Sequence, residues 1–275
     1  METWDEIKRW RRAQREELIG RRQALPQRGR RDLQARIIGL LETRFPELAS
    51  GLIGFYWPIR GEIGLHPLIH RLVEQGAGAA LPAVVEKGRP LEFRAWRPGD
   101  RLERGFWNIP VPAERRVVRP TVLLVPLVGF DGEGYRLGYG GGYYDRTLAT
   151  MTPRPRAIGV GYELGRLETI HPQPHDVRMD AIVTEAGVVG SPGRRVGTPS
   201  GASPPAWDED PNSTGSFASP PCFMHELGPA YLGLDPDQPA PPDGPEYRDE
   251  GETADDDDVM NPATRPDTSG DRGGA

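Results

Sequence analysis

The chain has 275 residues, 34 Lys+Arg against 40 Asp+Glu and one cysteine, Cys222; this excludes a disulfide framework or a multi-cysteine metal site within it and suits a reducing cytoplasm. No apolar run reaches the roughly 18 residues of a membrane span, and the charged start Glu2-Thr3-Trp4-Asp5-Glu6 does not read as a secretory leader. Charge is divided, with a basic excess up to Gly190 and a larger acidic excess beyond it, giving a formal net charge of −6.

In chain order, Trp4 to Ala24 carries Ile7, Trp10, Leu18 and Ile19 at amphipathic-helix spacing and is closed by Pro26. A second helix, Arg30 to Thr43, follows the stripe Leu33, Ile37, Leu40, Leu41. The basic residues of this region alternate with the apolar ones, as on a solvated helix face, and leave one or two available for an anionic ligand. Leu52 to Tyr56 predicts a buried strand stopped by Pro58, and Gly61-Glu62-Ile63 opens a third helix with Leu65, Leu68, Ile69, Leu72 and Val73 on one face. A short strand follows near Ala79 to Leu81, and Leu91 to Trp96 alternates as a half-exposed strand does. Thr121 to Val125, the most apolar and β-prone segment, is expected to be a central parallel strand with a glycine-rich loop at its end. A helix from Gly142 to Met151 and strands at Ala157 to Tyr162 and Ala181 to Thr184 complete the series.

This alternation predicts a three-layer α/β/α fold over residues 1–190, with a mostly parallel central sheet and ligands at the carboxyl ends of its strands. Residues 191–275 are rich in Pro, Gly and Asp and poor in aliphatic side chains, and predict a disordered acidic tail. Within the tail, Cys222 to Leu234 forms an apolar island. Cys222, His225 and Glu226 lack a fourth, distant metal ligand, which leaves plain disorder, docking on the chain itself, or docking on an unidentified protein partner.

The densest chemical signal is Arg136-Leu137-Gly138-Tyr139-Gly140-Gly141-Gly142-Tyr143-Tyr144-Asp145-Arg146. Four glycines in five positions carry a large backbone-entropy cost, which close approach of a ligand would explain. Phosphate is the physical candidate: backbone N–H groups and a helix start converge on an anion, Arg136 adds charge, and Asp145 is placed to hold magnesium. The segment is neither a Walker A loop nor a dinucleotide fingerprint, and a plain flexible turn is the simpler alternative.

Pro126-Leu127-Val128-Gly129-Phe130-Asp131, followed by the glycine segment, resembles the signature of the 5-formyltetrahydrofolate cyclo-ligases, also called 5,10-methenyltetrahydrofolate synthetases. The basic N-terminal helix, Tyr56 to Glu62, Trp107-Asn108-Ile109-Pro110, His175-Asp176 and Asp180 to Glu185 match in order, so the resemblance spans Trp4 to Gly187. It implies phosphorylation by ATP of the formyl oxygen of 5-formyltetrahydrofolate, attack by the folate N10, and release of ADP, phosphate and 5,10-methenyltetrahydrofolate. It further implies that Lys8, Arg12, Arg136 and the segment Gly138, Tyr139, Gly140, Gly141, Gly142, Tyr143 and Tyr144 bind ATP. Asp145 would bind Mg2+ and act with Arg136 in catalysis, while Tyr56, Glu62, Trp107 and Tyr144 would contact the folate. Two departures stand out: some members have an arginine and a lysine where this chain has Tyr139 and Gly141, and many have a glutamine at the position of Gly165.

Two other functions remain open at this level. A catalytically silent relative could bind a nucleotide or folate as a regulatory module. A nucleic-acid binder could use the basic first helix, but no aromatic-plus-basic RNA motif accompanies it, so no nucleic acid is expected as a partner.

Overall fold

All four residues of Val122-Leu123-Leu124-Val125 are buried, and their side chains alternate in direction, so this segment needs cover on both faces. The computed structural model, which describes residues 3–190, shows how it is covered. In chain order the elements are α1 (Trp4–Gln23), α2 (Gln27–Arg44), β1 (Leu52–Gly54), α3 (His66–Glu74), β2 (Gly78–Ala83), β3 (Glu92–Trp96), β4 (Leu102–Arg104), β5 (Pro110–Pro112), β6 (Val122–Pro126), β7 (Gly129–Phe130), β8 (Arg136–Leu137), α4 (Tyr143–Thr150), β9 (Arg156–Val160), β10 (Ala181–Thr184) and β11 (Gly187–Gly190).

Seven strands form one sheet in the order β11-β10-β9-β6-β1-β2-β3. The five inner strands run parallel, and β3 and β11 close the edges antiparallel. One core gathers Val122 and Leu124 with Ile158, Val183, Leu41, Leu68 and Ile69, on the side of α2 and α3. Leu123 and Val125 instead join Ala157, Ile182 and Leu148, on the side of α4. The expected three-layer α/β/α fold with a mostly parallel sheet is the observed one. The acidic segment 191–275, its expected disorder, its island and the partner expected for it lie outside the described residues.

The first helix is fixed at its start by a capping box: Glu6 N–H donates to Thr3 Oγ1, and Thr3 N–H donates to Glu6 Oε2 at 2.7 Å. The third helix starts later than its apolar stripe suggests. Gly61 takes a left-handed φ of 77°, Glu62 N–H donates to Ile59 O at 3.0 Å, and the helix begins only at His66-Pro67. Glu62 therefore sits in a tight turn after β1 rather than on a helix. The glycine segment does not leave β6 directly either: the ribbon β7–β8 intervenes, with Phe130 opposite Arg136.

Gly165 has a packing explanation. A Cβ there would come within 2.7 Å of Val128 O and 3.3 Å of Gly129 Cα, so the turn it occupies lies too close to β7 for a side chain.

His66 lies among Phe55, Trp57 and Trp96, with ring centroids 5.6, 4.7 and 6.0 Å away. Burial, with a smaller push from His70, lowers its pKa to about 4. The folded value thus lies below the unfolded one, so the stability contributed by neutral His66 is complete above the unfolded pKa of about 6.5 and is lost as pH falls toward 4. Between pH 7 and pH 4, wild-type protein should lose about 3 kcal/mol more stability than His66→Phe, measured by urea unfolding at each pH. Parallel losses in the two proteins would contradict this.

Candidate functional site

The chain moves outward from β1 to β2 on one side of the sheet and from β6 to β9 on the other, so a crevice opens at the carboxyl ends of β1 and β6. A cavity of about 490 Å³ lies there, lined by Tyr56, Trp57, Ile59 and Glu62 beyond β1, Pro82 and Val84 at β2, and Pro126 at β6. This size is usual for a small-molecule site.

One wall is the glycine segment. Gly140 and Gly142 have φ of 89° and 61°, a left-handed region that disfavours side chains, and Gly142 caps α4. Gly138 differs: its φ is ordinary and a Cβ would meet no protein atom within 4 Å. The fold does not require glycine there, but a ligand lying against the backbone would. Cations surround this wall. Lys8, Arg15 and Arg146 line the cavity, and Arg15 Nε donates to Gly138 O at 2.7 Å. Arg146 lies over the Tyr143 ring, 5.2 Å from its centroid, and donates to Gly141 O.

On α1, Trp4, Lys8, Arg11 and Arg15 all reach the cavity, as the i, i+4, i+7, i+11 face of one helix must. Arg12 falls off that face. It is exposed, bonded to Glu16 at 3.3 Å, and does not line the cavity, so the structure does not bring it together with Lys8 as the resemblance implies. Arg11 ties the helix to the 170–176 loop, donating to Ile170 O at 3.0 Å, His171 O at 2.9 Å and Asp176 Oδ2 at 2.5 Å.

Arg136 and Asp145 meet each other. Arg136 Nη1 and Nη2 donate to Asp145 Oδ1 and Oδ2 at 2.9 and 2.8 Å, and Val177 N–H adds a third bond to Oδ1 at 3.0 Å. Both side chains are buried or nearly so, and Arg136 also stands over the Tyr144 ring at 5.8 Å. Burial pushes the Asp145 pKa up, but the charge and hydrogen bonds of Arg136 and the Val177 N–H outweigh it and hold it below the ordinary value. In this arrangement both Asp145 oxygens accept from Arg136, so a magnesium ion bound by Asp145, as the resemblance implies, would share the carboxylate with that guanidinium or displace it. Among the described residues no group of three His, Cys, Asp or Glu is placed to hold a metal ion.

The opposite wall is aromatic and carries one carboxylate. Trp107 packs edge-on to Tyr143, centroids 5.6 Å apart, and holds a left-handed φ of 55° that presents its ring at the cavity. Tyr56 contributes only its ring, because its hydroxyl donates to Ile63 O at 3.0 Å. Tyr144 also lines the cavity, and burial raises its hydroxyl pKa above the ordinary value. Glu62 accepts from Ile59 N–H at 2.9 Å and from the Tyr139 hydroxyl at 3.0 Å. Burial raises its pKa, and Arg22 partly offsets that.

The model of the 5-formyltetrahydrofolate cyclo-ligase family matches residues 5–185, about two thirds of the chain. The chain belongs to the 5-formyltetrahydrofolate cyclo-ligase family. Its relatives include the 5-formyltetrahydrofolate cyclo-ligase of Mycolicibacterium smegmatis, 35% identical over 144 residues covering 49% of this chain and 74% of the relative. The Escherichia coli protein of the same name is 29% identical over 175 residues, covering 61% and 96%. Among solved structures, the 5,10-methenyltetrahydrofolate synthetase of Aquifex aeolicus superposes with a TM-score of 0.58 at 28% identity, covering 72% of this chain and 98% of that one. The synthetase from Mycoplasma pneumoniae gives 0.53 at 26%, covering 64% and 98%.

Thirteen of the fourteen expected site residues, namely Lys8, Tyr56, Glu62, Trp107, Arg136, Gly138, Tyr139, Gly140, Gly141, Gly142, Tyr143, Tyr144 and Asp145, line this one cavity, while Arg12 does not. Trp4, Trp57, Ile59, Gln173 and His175 line it too and were not expected there. For Trp4, Arg11 and Arg15 the helical spacing from Lys8 was a usable signal. For Gln173 and His175 there was none, since the 170–176 loop is brought to the cavity by contacts distant in the chain, with Arg11, Asp131, Trp4 and Trp10. No helix among the described residues is long and apolar enough to cross a membrane.

Proposed function

We propose that this cyclo-ligase family member closes 5-formyltetrahydrofolate to 5,10-methenyltetrahydrofolate at the expense of ATP. One observation carries the reading: a single cavity joins a cation-ringed glycine wall, with open space at the Cβ position of Gly138, to an aromatic wall bearing Glu62. The first suits a polyphosphate and the second a flat, N–H-bearing heterocycle.

ATP supplies the phosphoryl group that makes the formyl oxygen a leaving group, after which the folate N10 forms the new C–N bond and phosphate departs. The protein's part is binding, orientation and charge. Lys8, Arg15 and Arg146 face the phosphates across the glycine segment, and the start of α4 adds its positive end. Arg136 and Asp145, which also line the cavity, hold α4 to residue 177 beside that segment. Glu62 accepts from the pterin, and Trp107, Tyr56 and Tyr144 flank the rings. Magnesium fits as a passenger of the nucleotide, since Mg2+ commonly relies on phosphates, water and few carboxylates. The reaction is assigned to the cytoplasm, a setting that a chain with one cysteine tolerates.

Purified protein with Mg-ATP and 5-formyltetrahydrofolate should show the methenyltetrahydrofolate absorbance only when ATP is present. Absence of that product would remove the assignment. Calorimetric binding of both ligands without turnover would favour the silent regulatory relative instead.

A further inference from the structure

Tyr139 belongs to two walls at once. Its backbone lies between Gly138 and Gly140, while its ring packs against Ile59 and against Leu18, Ile19 and Val128. Its hydroxyl accepts from Arg22 Nη2 at 2.5 Å and donates to Glu62 Oε1 at 3.0 Å. Arg22 is only 3% exposed and is pinned in turn, Nε donating to Arg60 O at 3.1 Å and Nη1 to Leu127 O at 3.3 Å.

Each Glu62 oxygen thus has one protein donor, Tyr139 on Oε1 and Ile59 N–H on Oε2. A carboxylate has room for about four hydrogen bonds, so both oxygens keep capacity, and Glu62 lines the cavity. That arrangement matches two parallel N–H donors on a planar ring. A swinging carboxylate would lose the match, and the tyrosine hydroxyl, itself anchored by a buried guanidinium, fixes Oε1 while the Ile59 N–H holds Oε2.

We propose that Tyr139 is a positioning residue that orients the Glu62 carboxylate for the substrate's paired N–H groups and, because its backbone is part of the phosphate wall, couples nucleotide binding to folate binding. The proposal rests on the function proposed above. A phosphate settling on the Gly138 to Gly142 backbone fixes the Tyr139 Cα between two glycines. The hydroxyl is then already placed when the folate arrives, so less ordering cost remains for the second ligand. Coupling of this kind is reciprocal: folate must tighten nucleotide binding by the same factor.

Glu62 is faced by Arg22 of α1, by Arg60 of its own turn, and by the hydroxyls of Tyr56, Tyr139, Tyr144 and Tyr162. Of the tyrosines, Tyr139 hydrogen-bonds the carboxylate. Removing its hydroxyl should therefore make Glu62 easier to protonate, whereas a purely packing role for the ring would not.

The test compares the full chain with Tyr139→Phe, which keeps the ring and deletes the hydroxyl. Calorimetry with 5-formyltetrahydrofolate, with and without Mg2+ and a non-hydrolysable ATP analogue, should show the analogue tightening folate binding in wild type and not in the variant. The variant's KM for folate should rise about tenfold, the loss of roughly one hydrogen bond to a charged group, while its affinity for the ATP analogue in the absence of folate stays that of wild type. The acid limb of its kcat/KM profile should move to higher pH. Unchanged folate affinity and an unmoved acid limb in Tyr139→Phe would overturn the proposal while leaving the cyclo-ligase assignment intact. Wild-type protein that binds no 5-formyltetrahydrofolate even with the analogue would overturn the assignment and the proposal with it.

Discussion

Asp145→Asn should cost the protein about 3 kcal/mol of stability, because it leaves the Arg136 guanidinium buried without its counter-charge. Arg136 and Asp145 side chains are 5% and 15% exposed, and the pair is bidentate. Such geometry makes removal of one partner expensive whatever the pair contributes net. The pH dependence has a definite sign. Asp145 titrates below its ordinary value despite its burial, so its contribution is present above the unfolded carboxylate pKa, about 3.9, and is lost as pH falls through the lower folded one. Urea midpoints of wild type and Asp145→Asn should therefore differ at pH 7 and converge in strong acid. If the variant instead kept the wild-type midpoint and lost only its response to magnesium, the aspartate would be a metal ligand after all.

Glu62→Gln should lower kcat/KM for 5-formyltetrahydrofolate about 100-fold and leave KM for ATP nearly unaltered. Two hydrogen bonds to a charged acceptor, each worth roughly 1.5–3 kcal/mol, are weakened together, and one glutamine donor is turned toward groups that are themselves donors. Stability should move the other way. Glu62 has a raised pKa, so its contribution is full below the unfolded value and is lost as pH rises through the folded one. At pH 7 the neutral glutamine is thus expected to be as stable as wild type or more so. Steady-state kinetics and thermal unfolding on the same preparation separate the two effects. A Glu62→Gln enzyme with wild-type folate kinetics would remove the carboxylate from the substrate wall.

Much of the site was legible in the sequence. The glycine run pointed to one wall because so many glycines are costly to a fold, while Glu62 and Trp107 on the other came from the resemblance to the cyclo-ligases. Arg12 and Asp145 show the limit. Both are charged residues beside the right segment, but one helix step of about 100° turns Arg12 away to Glu16, and a hairpin, β7–β8, carries Arg136 back onto Asp145. The late start of α3 is a similar case. Its apolar stripe continues back to Ile63, but the left-handed Gly61 and Pro67 shift the first turn and leave Glu62 in a loop facing the cavity.

The sequence by itself determined the α/β alternation, the buried central strand and the cation-and-glycine composition of the glycine wall, since periodicity, β-propensity and glycine cost are local properties of neighbouring residues. Only the tertiary structure decided which charges face the cavity and which face each other. Arg22, Tyr139 and Glu62 are far apart in the chain, and so are Arg11 and Asp176; their meeting depends on where α1 packs across the strand ends. A charge's role follows from its partner and its distance from water, and neither is written in its own stretch of chain.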